Sequence, residues 1–226
     1  MLPIGDDNHE ITRFPGVTYT LIALNVLAFV YQLTLGAELG SFLQEWGMVP
    51  THVLDGEHPF SLVSSMFLHG GWGHIIGNML FLKVFGDNVE DRFGHIWFLL
   101  FYLGTGLAAS GAHILLDPDS QVPTVGASGA ISGILGAYIV MFPRNKVLIW
   151  MFFFVFAVPA WLMIGFWALE QFLATFGSIA ATEQTSGGIA YAAHAGGFIA
   201  GALLALILRG TSRSPRYSEF GEKRYY

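Results

Sequence analysis

The chain has 226 residues, 54% of them hydrophobic and only 12% charged; an ordinary globular domain carries about 25% charged residues. With a mean hydropathy of +0.56, this composition excludes disorder, a collagen-like repeat, a coiled coil and an ordinary soluble domain. A net charge of −6 excludes a uniformly basic nucleic-acid binder. The lack of cysteine removes disulfides, thiolate nucleophiles and Cys-ligated metals.

In chain order, hydrophobic stretches near the 20 or so residues that cross a bilayer predict six helical spans, over residues 17–37, 72–88, 94–116, 126–142, 147–172 and 188–208. The fold class expected is therefore an all-α polytopic membrane protein. Residues 1–16 form a short cytoplasmic segment, 17–208 the six-span membrane domain with a long outer loop at 38–71, and 209–226 a basic cytoplasmic tail. The segment before the first span carries Asp6, Asp7 and Glu10 and lacks the basic start of a cleaved signal.

Outside the spans, Lys and Arg fall on one side only, and Lys83 within span two can snorkel towards that side. Arg13, Arg92, Arg144, Lys146 and the five basic residues after residue 208 flank one set of span ends. The loops 38–71, 117–125 and 173–187 have none. Positive loops stay inside, so both termini are expected in the cytoplasm. Loop 38–71 holds Trp46, Met48, Phe60, Phe67 and Leu68. That content predicts a partly embedded lobe rather than a free connection.

Polar residues at membrane depth need a reason. Span four opens with Gly126-Ala127-Ser128-Gly129, which puts a serine hydroxyl between glycines at a helix N-terminus. Free N–H groups there can hold an oxyanion. The same residues also suit plain helix packing. In span six, His194, Gly197, Gly201 and Ala205 share one helical face. This smooth face matches Gly129, Ser132, Gly133 and Gly136, and close packing of the two would carry His194 to Ser128. In span two, His74 and Asn78 lie four residues apart on one face, and both can donate hydrogen bonds. All three spans run inward from the outer side, so these groups share a layer. His69 and His74 lack helical ligand spacing and a carboxylate partner, so no metal site is expected. No carboxylate is placed to orient His194, which points to a Ser–His dyad.

At these residues the sequence resembles the rhomboid family of intramembrane serine proteases, over roughly residues 60–208. The matching pieces are His69-Gly-Gly-Trp-Gly-His74-Ile-Ile-Gly-Asn78, Val84-Phe-Gly-Asp-Asn-Val-Glu90-Asp91-Arg92-Phe-Gly94, Gly126-Ala-Ser128-Gly129, Phe142-Pro-Arg144 and Ala193-His194-Ala-Gly-Gly197. The resemblance implies Ser128 as nucleophile and His194 as base and then acid. It implies an oxyanion hole of His74, Asn78 and the Ser128 N–H. Gly126, Gly129, Gly197 and the charged Glu90 and Arg92 would be structural supports. The Phe-rich stretch Phe152, Phe153 and Phe156 of span five would face substrate entry. Two positions depart from the family pattern. Ser132 stands where many members place an aromatic against the catalytic histidine, so His194 must be oriented from elsewhere. The first loop has Trp46-Gly-Met-Val-Pro50 in place of a Trp-Arg motif.

The expected activity is hydrolysis of peptide bonds in transmembrane or membrane-adjacent proteins, without metal or cofactor, in a water-accessible cavity. The expected partners are a transmembrane protein substrate and the lipid bilayer, with no nucleic acid. The location expected is a prokaryotic inner membrane. The alternative is a catalytically silent rhomboid-like protein that binds membrane partners as a chaperone or assembly subunit. A transporter is disfavoured by the lack of inverted repeats and of mid-span carboxylates.

Overall fold

The computed structural model describes residues 2–7, 11–180 and 191–208. Six long helices form the body: α1 (Gly16–Thr34), α5 (Trp72–Phe93), α6 (His95–Leu116), α7 (Ser128–Met141), α8 (Ala160–Ala180) and α9 (Tyr191–Leu208). Three short helices, α2 (Leu39–Trp46), α3 (Pro50–Leu54) and α4 (Ser61–Ser64), build the lobe between α1 and α5. Helices α1, α6 and α9 are each long and apolar enough to cross a membrane. Helix α7 is apolar but only 14 residues long, about 21 Å at 1.5 Å per residue. Large side chains on α1, α6, α8 and α9 point outward, including Leu27, Ile96, Phe176 and Ile207. An apolar exterior of this kind suits a lipid solvent.

Small residues set the inner packing. An added Cβ at Gly197 would run into the carbonyl oxygen of Gly129, and one at Gly201 into that of Gly133. Helices α7 and α9 therefore meet backbone to backbone, as the matched small-residue faces predicted. Around them Phe85, Phe98, Tyr102, Ile134, Leu135 and Tyr138 are all fully buried.

Two expectations are corrected. The chain is not purely helical, because β1 (Leu2–Asp6), β2 (Lys146–Met151) and β3 (Phe154–Pro159) form an antiparallel sheet in the order β1-β2-β3. The helix of the expected fifth span accordingly starts at Ala160, not at 147. Within β2, Val147 and Ile149 are buried while Leu148 and Trp150 are exposed. This is the two-residue period of a strand, hidden in a continuous apolar run. Within the first expected segment, residues 1–16, Leu2–Asp6 supply the edge strand β1. The tail 209–226 and part of the loop 173–187 lie outside the described residues.

The lobe 38–71 is packed rather than free. Met48 and Val49 are buried, and Met48 forms a β-bridge to Thr124 in the loop before α7. At the other end of the bundle, Glu90 is fully buried at the start of α1. It accepts hydrogen bonds from the backbone N–H groups of Val17 and Thr18, at 2.8 and 2.7 Å, and from the Thr18 hydroxyl at 2.7 Å. A helix N-terminus leaves such donors open and favours negative charge there.

Candidate active site

Helices α5, α7 and α9 begin at the same end of the bundle, and their first turns carry the polar groups. Ser128 is the first residue of α7, after Ala127 as cap. Its backbone N–H belongs to the first turn and has no carbonyl four residues back to pair with inside the helix. His194 is the fourth residue of α9. The close approach of α7 and α9 brings Ser128 Oγ to 2.8 Å from His194 Nε2. With a lone pair on Nε2, the hydroxyl donates to the imidazole, as a general base requires.

From α5, His74 and Asn78 line the same cavity as Ser128 and His194, about 590 Å³ in volume. The Gly70 N–H donates to His74 Nδ1 at 3.3 Å. That contact leaves His74 Nε2 as the protonated nitrogen, a donor towards the cavity. Gly126 keeps this corner clear, with φ at +131°. A Cβ there would lie 2.7 Å from His74 Nε2 and 3.4 Å from Ser128 Oγ. The space beside the nucleophile thus exists only because residue 126 has no side chain. Gly126 itself is fixed by its N–H, which donates to the Ser65 carbonyl at 2.8 Å. Ser65 and Met66 from the lobe and Thr124 to Gly126 from the following loop close over the cavity.

Asn78 is buried and donates through Nδ2 to His69 Nε2 at 2.9 Å. A primary amide has two N–H bonds, so a second remains to donate elsewhere. His69 lies in the turn before α5 and is itself buried. Burial, and after it the neighbouring His74, pushes His69 down to about 4. Its ring is therefore neutral near pH 7, with a lone pair for Asn78. The backbone of His69 is held at both ends by Gln32 of α1, at 3.0 Å each.

The sequence reading left open how His194 is oriented. Ser132 takes no part, since its hydroxyl turns back to the Ser128 carbonyl at 2.6 Å. Instead, Gln171 Oε1 of α8 lies 2.7 Å from His194 Nδ1. Trp167, one turn earlier on α8, has its ring 6.1 Å from the His194 ring at a 36° tilt. Neither Gln171 nor Trp167 was legible as a site residue. The signal available for Gln171 was a polar side chain, next to Glu170, within a mostly apolar helix. His69 is visible in the sequence as the first residue of a matching motif and as an unsuitable metal ligand, with no role of its own in the site.

The other expected residues fall elsewhere. Gly129 and Gly197 meet at the α7–α9 contact described above. Glu90 caps α1 and pairs with His95 Nδ1 at 2.5 Å. Arg92 sits in the last turn of α5, close to Glu90 along the chain. Both lie at the end of α5 far from His74. Phe152, Phe153 and Phe156 belong to the β2–β3 hairpin, past the end of α7 that lies opposite Ser128. They do not line the cavity, which corrects their expected place at substrate entry. Among the described residues, the cavity lining contains no Asp or Glu. In the lobe, apart from this cavity, His52, Glu57 and His58 bring ligand atoms within 4.8 Å of one another, with Glu57 and His58 exposed.

A helical bundle with an apolar exterior that holds a Ser–His contact in an internal cavity defines the class as a membrane helical bundle. The Rhomboid domain model matches residues 56–211, and the chain belongs to the rhomboid family. It is 30% identical over 197 residues to rhomboid protein 1, mitochondrial, of Saccharomyces cerevisiae, covering 85% of this chain and 53% of that protein. It is 33% identical over 133 residues to rhomboid protease GluP of Bacillus subtilis, covering 58% of this chain and 26% of GluP. Against RHOMBOID-like protein 5 of Arabidopsis thaliana, identity is 34% over 95 residues, covering 42% of this chain and 31% of that protein. The chain thus spans about half or less of the length of these relatives. Family membership and the apolar helices make it an integral membrane protein.

Proposed function

We propose that this protein is an intramembrane serine protease that hydrolyses peptide bonds of transmembrane or membrane-adjacent proteins. The observation that carries this reading is the 2.8 Å contact between Ser128 Oγ and His194 Nε2 at the start of two tightly packed helices. Named rhomboid proteases among the relatives support it at the level of the family.

In this reading His194 Nε2 takes the hydroxyl proton as Ser128 Oγ attacks the scissile carbonyl carbon. The carbonyl oxygen becomes an oxyanion, met by the N–H groups of Ser128, His74 and Asn78. The tetrahedral intermediate collapses, and His194 returns its proton to the departing amine. The acyl-enzyme is then attacked by a water that His194 deprotonates, releasing the new carboxyl terminus and regenerating Ser128. Each step draws only on groups of this chain, the substrate and water. The bilayer is both solvent and source of substrate. The six helices would span it with both termini and the β-sheet on the cytoplasmic side, in a prokaryotic inner membrane, and with residues 17–208 as one membrane domain.

The test is labelling by a fluorophosphonate, which reacts with an activated serine. Purified wild type in detergent is expected to label, and Ser128→Ala and His194→Ala are expected to lose labelling. A wild type that fails to label beside an active rhomboid in the same detergent would leave the silent, partner-binding reading.

A further inference from the structure

The catalytic pair comes from α7 and α9, but the group against the far side of His194 comes from α8. Among the described residues, the hydrogen-bond partner of His194 Nδ1 is Gln171 Oε1 at 2.7 Å. Trp167 stands four residues before Gln171, and Phe198 four residues after His194, so each pair shares a helix face. The Trp167 ring packs against both His194 and Phe198, at 6.1 and 6.2 Å. An amide and an indole on one face of α8 thus bracket the imidazole on α9.

A neutral imidazole has one protonated nitrogen and one lone pair. An amide oxygen accepts and does not donate, so its contact at Nδ1 requires the proton there. The lone pair then falls on Nε2, facing Ser128 Oγ at 2.8 Å. The opposite tautomer would point an N–H at the serine hydroxyl and leave no base. In a Ser-His-Asp triad a carboxylate selects the tautomer and stabilises the imidazolium. A neutral amide can do the first and contributes little to the second.

We propose that Gln171 is the positioning residue of this site, selecting the His194 tautomer that can act as base, with Trp167 holding the ring plane. This rests on the reading of Ser128 and His194 as the catalytic pair. One consequence is built into the chain order. The base is oriented only while α8 is seated against α9, so the placement of a largely lipid-exposed helix controls the competence of a dyad it does not contribute to.

The experiment combines a kinetic arm with a spectroscopic one. In the kinetic arm, Gln171→Leu is expected to slow fluorophosphonate labelling by roughly a hundredfold, within the range that general base catalysis contributes. The affinity for the probe should change little. Gln171→Glu restores an acceptor at Nδ1 and should recover most of the rate. Its carboxylate favours the imidazolium, so the acidic limb of the rate–pH profile should move to higher pH. A residue that merely fills space would not produce that shift. In the spectroscopic arm, nitrogen-15 NMR of histidine-labelled protein reports which His194 nitrogen carries the proton, with His194→Ala identifying the signal. Wild type should hold the proton on Nδ1, and Gln171→Leu should lose that preference. An unchanged rate, pH profile and tautomer in Gln171→Leu would overturn the proposal. A wild type that does not label but holds the Nδ1 proton through Gln171 would overturn only the protease reading.

Discussion

His69, Asn78 and Gln171 show how individual residues in this site depend on neighbours from other segments. Asn78 offers its amide to the cavity in the orientation set by His69 Nε2, 2.9 Å away. Removing one oxyanion donor typically costs about 10²–10³ in turnover. Asn78→Ala should therefore lower kcat by about that factor with KM nearly unchanged, measured on a cleavable transmembrane peptide. His69→Leu removes the orienting lone pair and leaves the donor, so a smaller loss, about tenfold, is expected. His69 also carries a pH dependence. Its folded value lies near 4 against 6.5 when unperturbed, so the unfolded chain takes up its proton first as pH falls. Stability should decline as pH drops from about 6.5 towards 4, and His69→Asn should flatten that part of a melting-temperature–pH curve. Ser128, His194, His74 and Asn78 could be proposed from the sequence because glycine flanks and helical spacing are local signals. Gln171 could not, because the histidine that gives it meaning lies 23 positions away.

At the scale of elements, the site depends on how closely α7 and α9 approach. Gly197 and Gly201 allow their helix to lie directly on the backbone of α7, which carries Ser128 to His194. Gly197→Leu would force the helices apart. Overpacking of this kind costs about 3 kcal/mol or more where backbone must move, and the dyad should separate as well. The expected result is a clear drop in the unfolding midpoint in detergent together with loss of labelling. Gly165 on α8 is the matched control, since a Cβ there would meet nothing within 4 Å. Gly165→Ala should be neutral or slightly stabilising. Small-residue faces survive inspection of the sequence because they repeat at helical spacing. The β2–β3 hairpin does not, because its exposed face is as apolar as its buried one. Leu148 and Trp150 look like membrane-span residues when hydrophobicity alone is counted.

For the molecule as a whole, the end away from the dyad is fastened by carboxylates, of which Glu90 is fully buried and Asp6 and Asp91 are partly buried. Glu90 caps α1, and Asp91 Oδ1 accepts from the Thr12 and Arg13 N–H groups at 3.1 and 2.8 Å. Asp6 of β1 accepts from the Tyr138 hydroxyl of α7 and from Asn88 of α5, each at 2.5 Å. Burial raises Asp6 to about 7, with Asp87 and Asp7 adding to the rise and the Tyr138 bond opposing it. The folded form thus holds a proton that the unfolded chain releases near 3.8. The docking of β1 is complete below about pH 4 and weakens as pH rises through about 7. Hydrogen exchange of the β1 amides should speed up from pH 5 to 8 beyond the intrinsic chemical rate. Asp6→Asn, neutral throughout, should remove that excess. Loss of protection at the same rate in both proteins would count against the account.

The sequence alone pointed to a lipid solvent, to the family and to Ser128 and His194 as the residues of the proposed dyad. These rest on composition, charge placement and motifs within a few residues of one another, which any window along the chain can read. The tertiary structure decided what meets across segments. It turned the start of the fifth span into a hairpin, paired Asn78 with His69, and set Gln171 and Trp167 of α8 against His194. Hydrogen bonds of that kind depend on how three helices pack. Packing is fixed by the shapes of opposing faces, and no single stretch of sequence contains both.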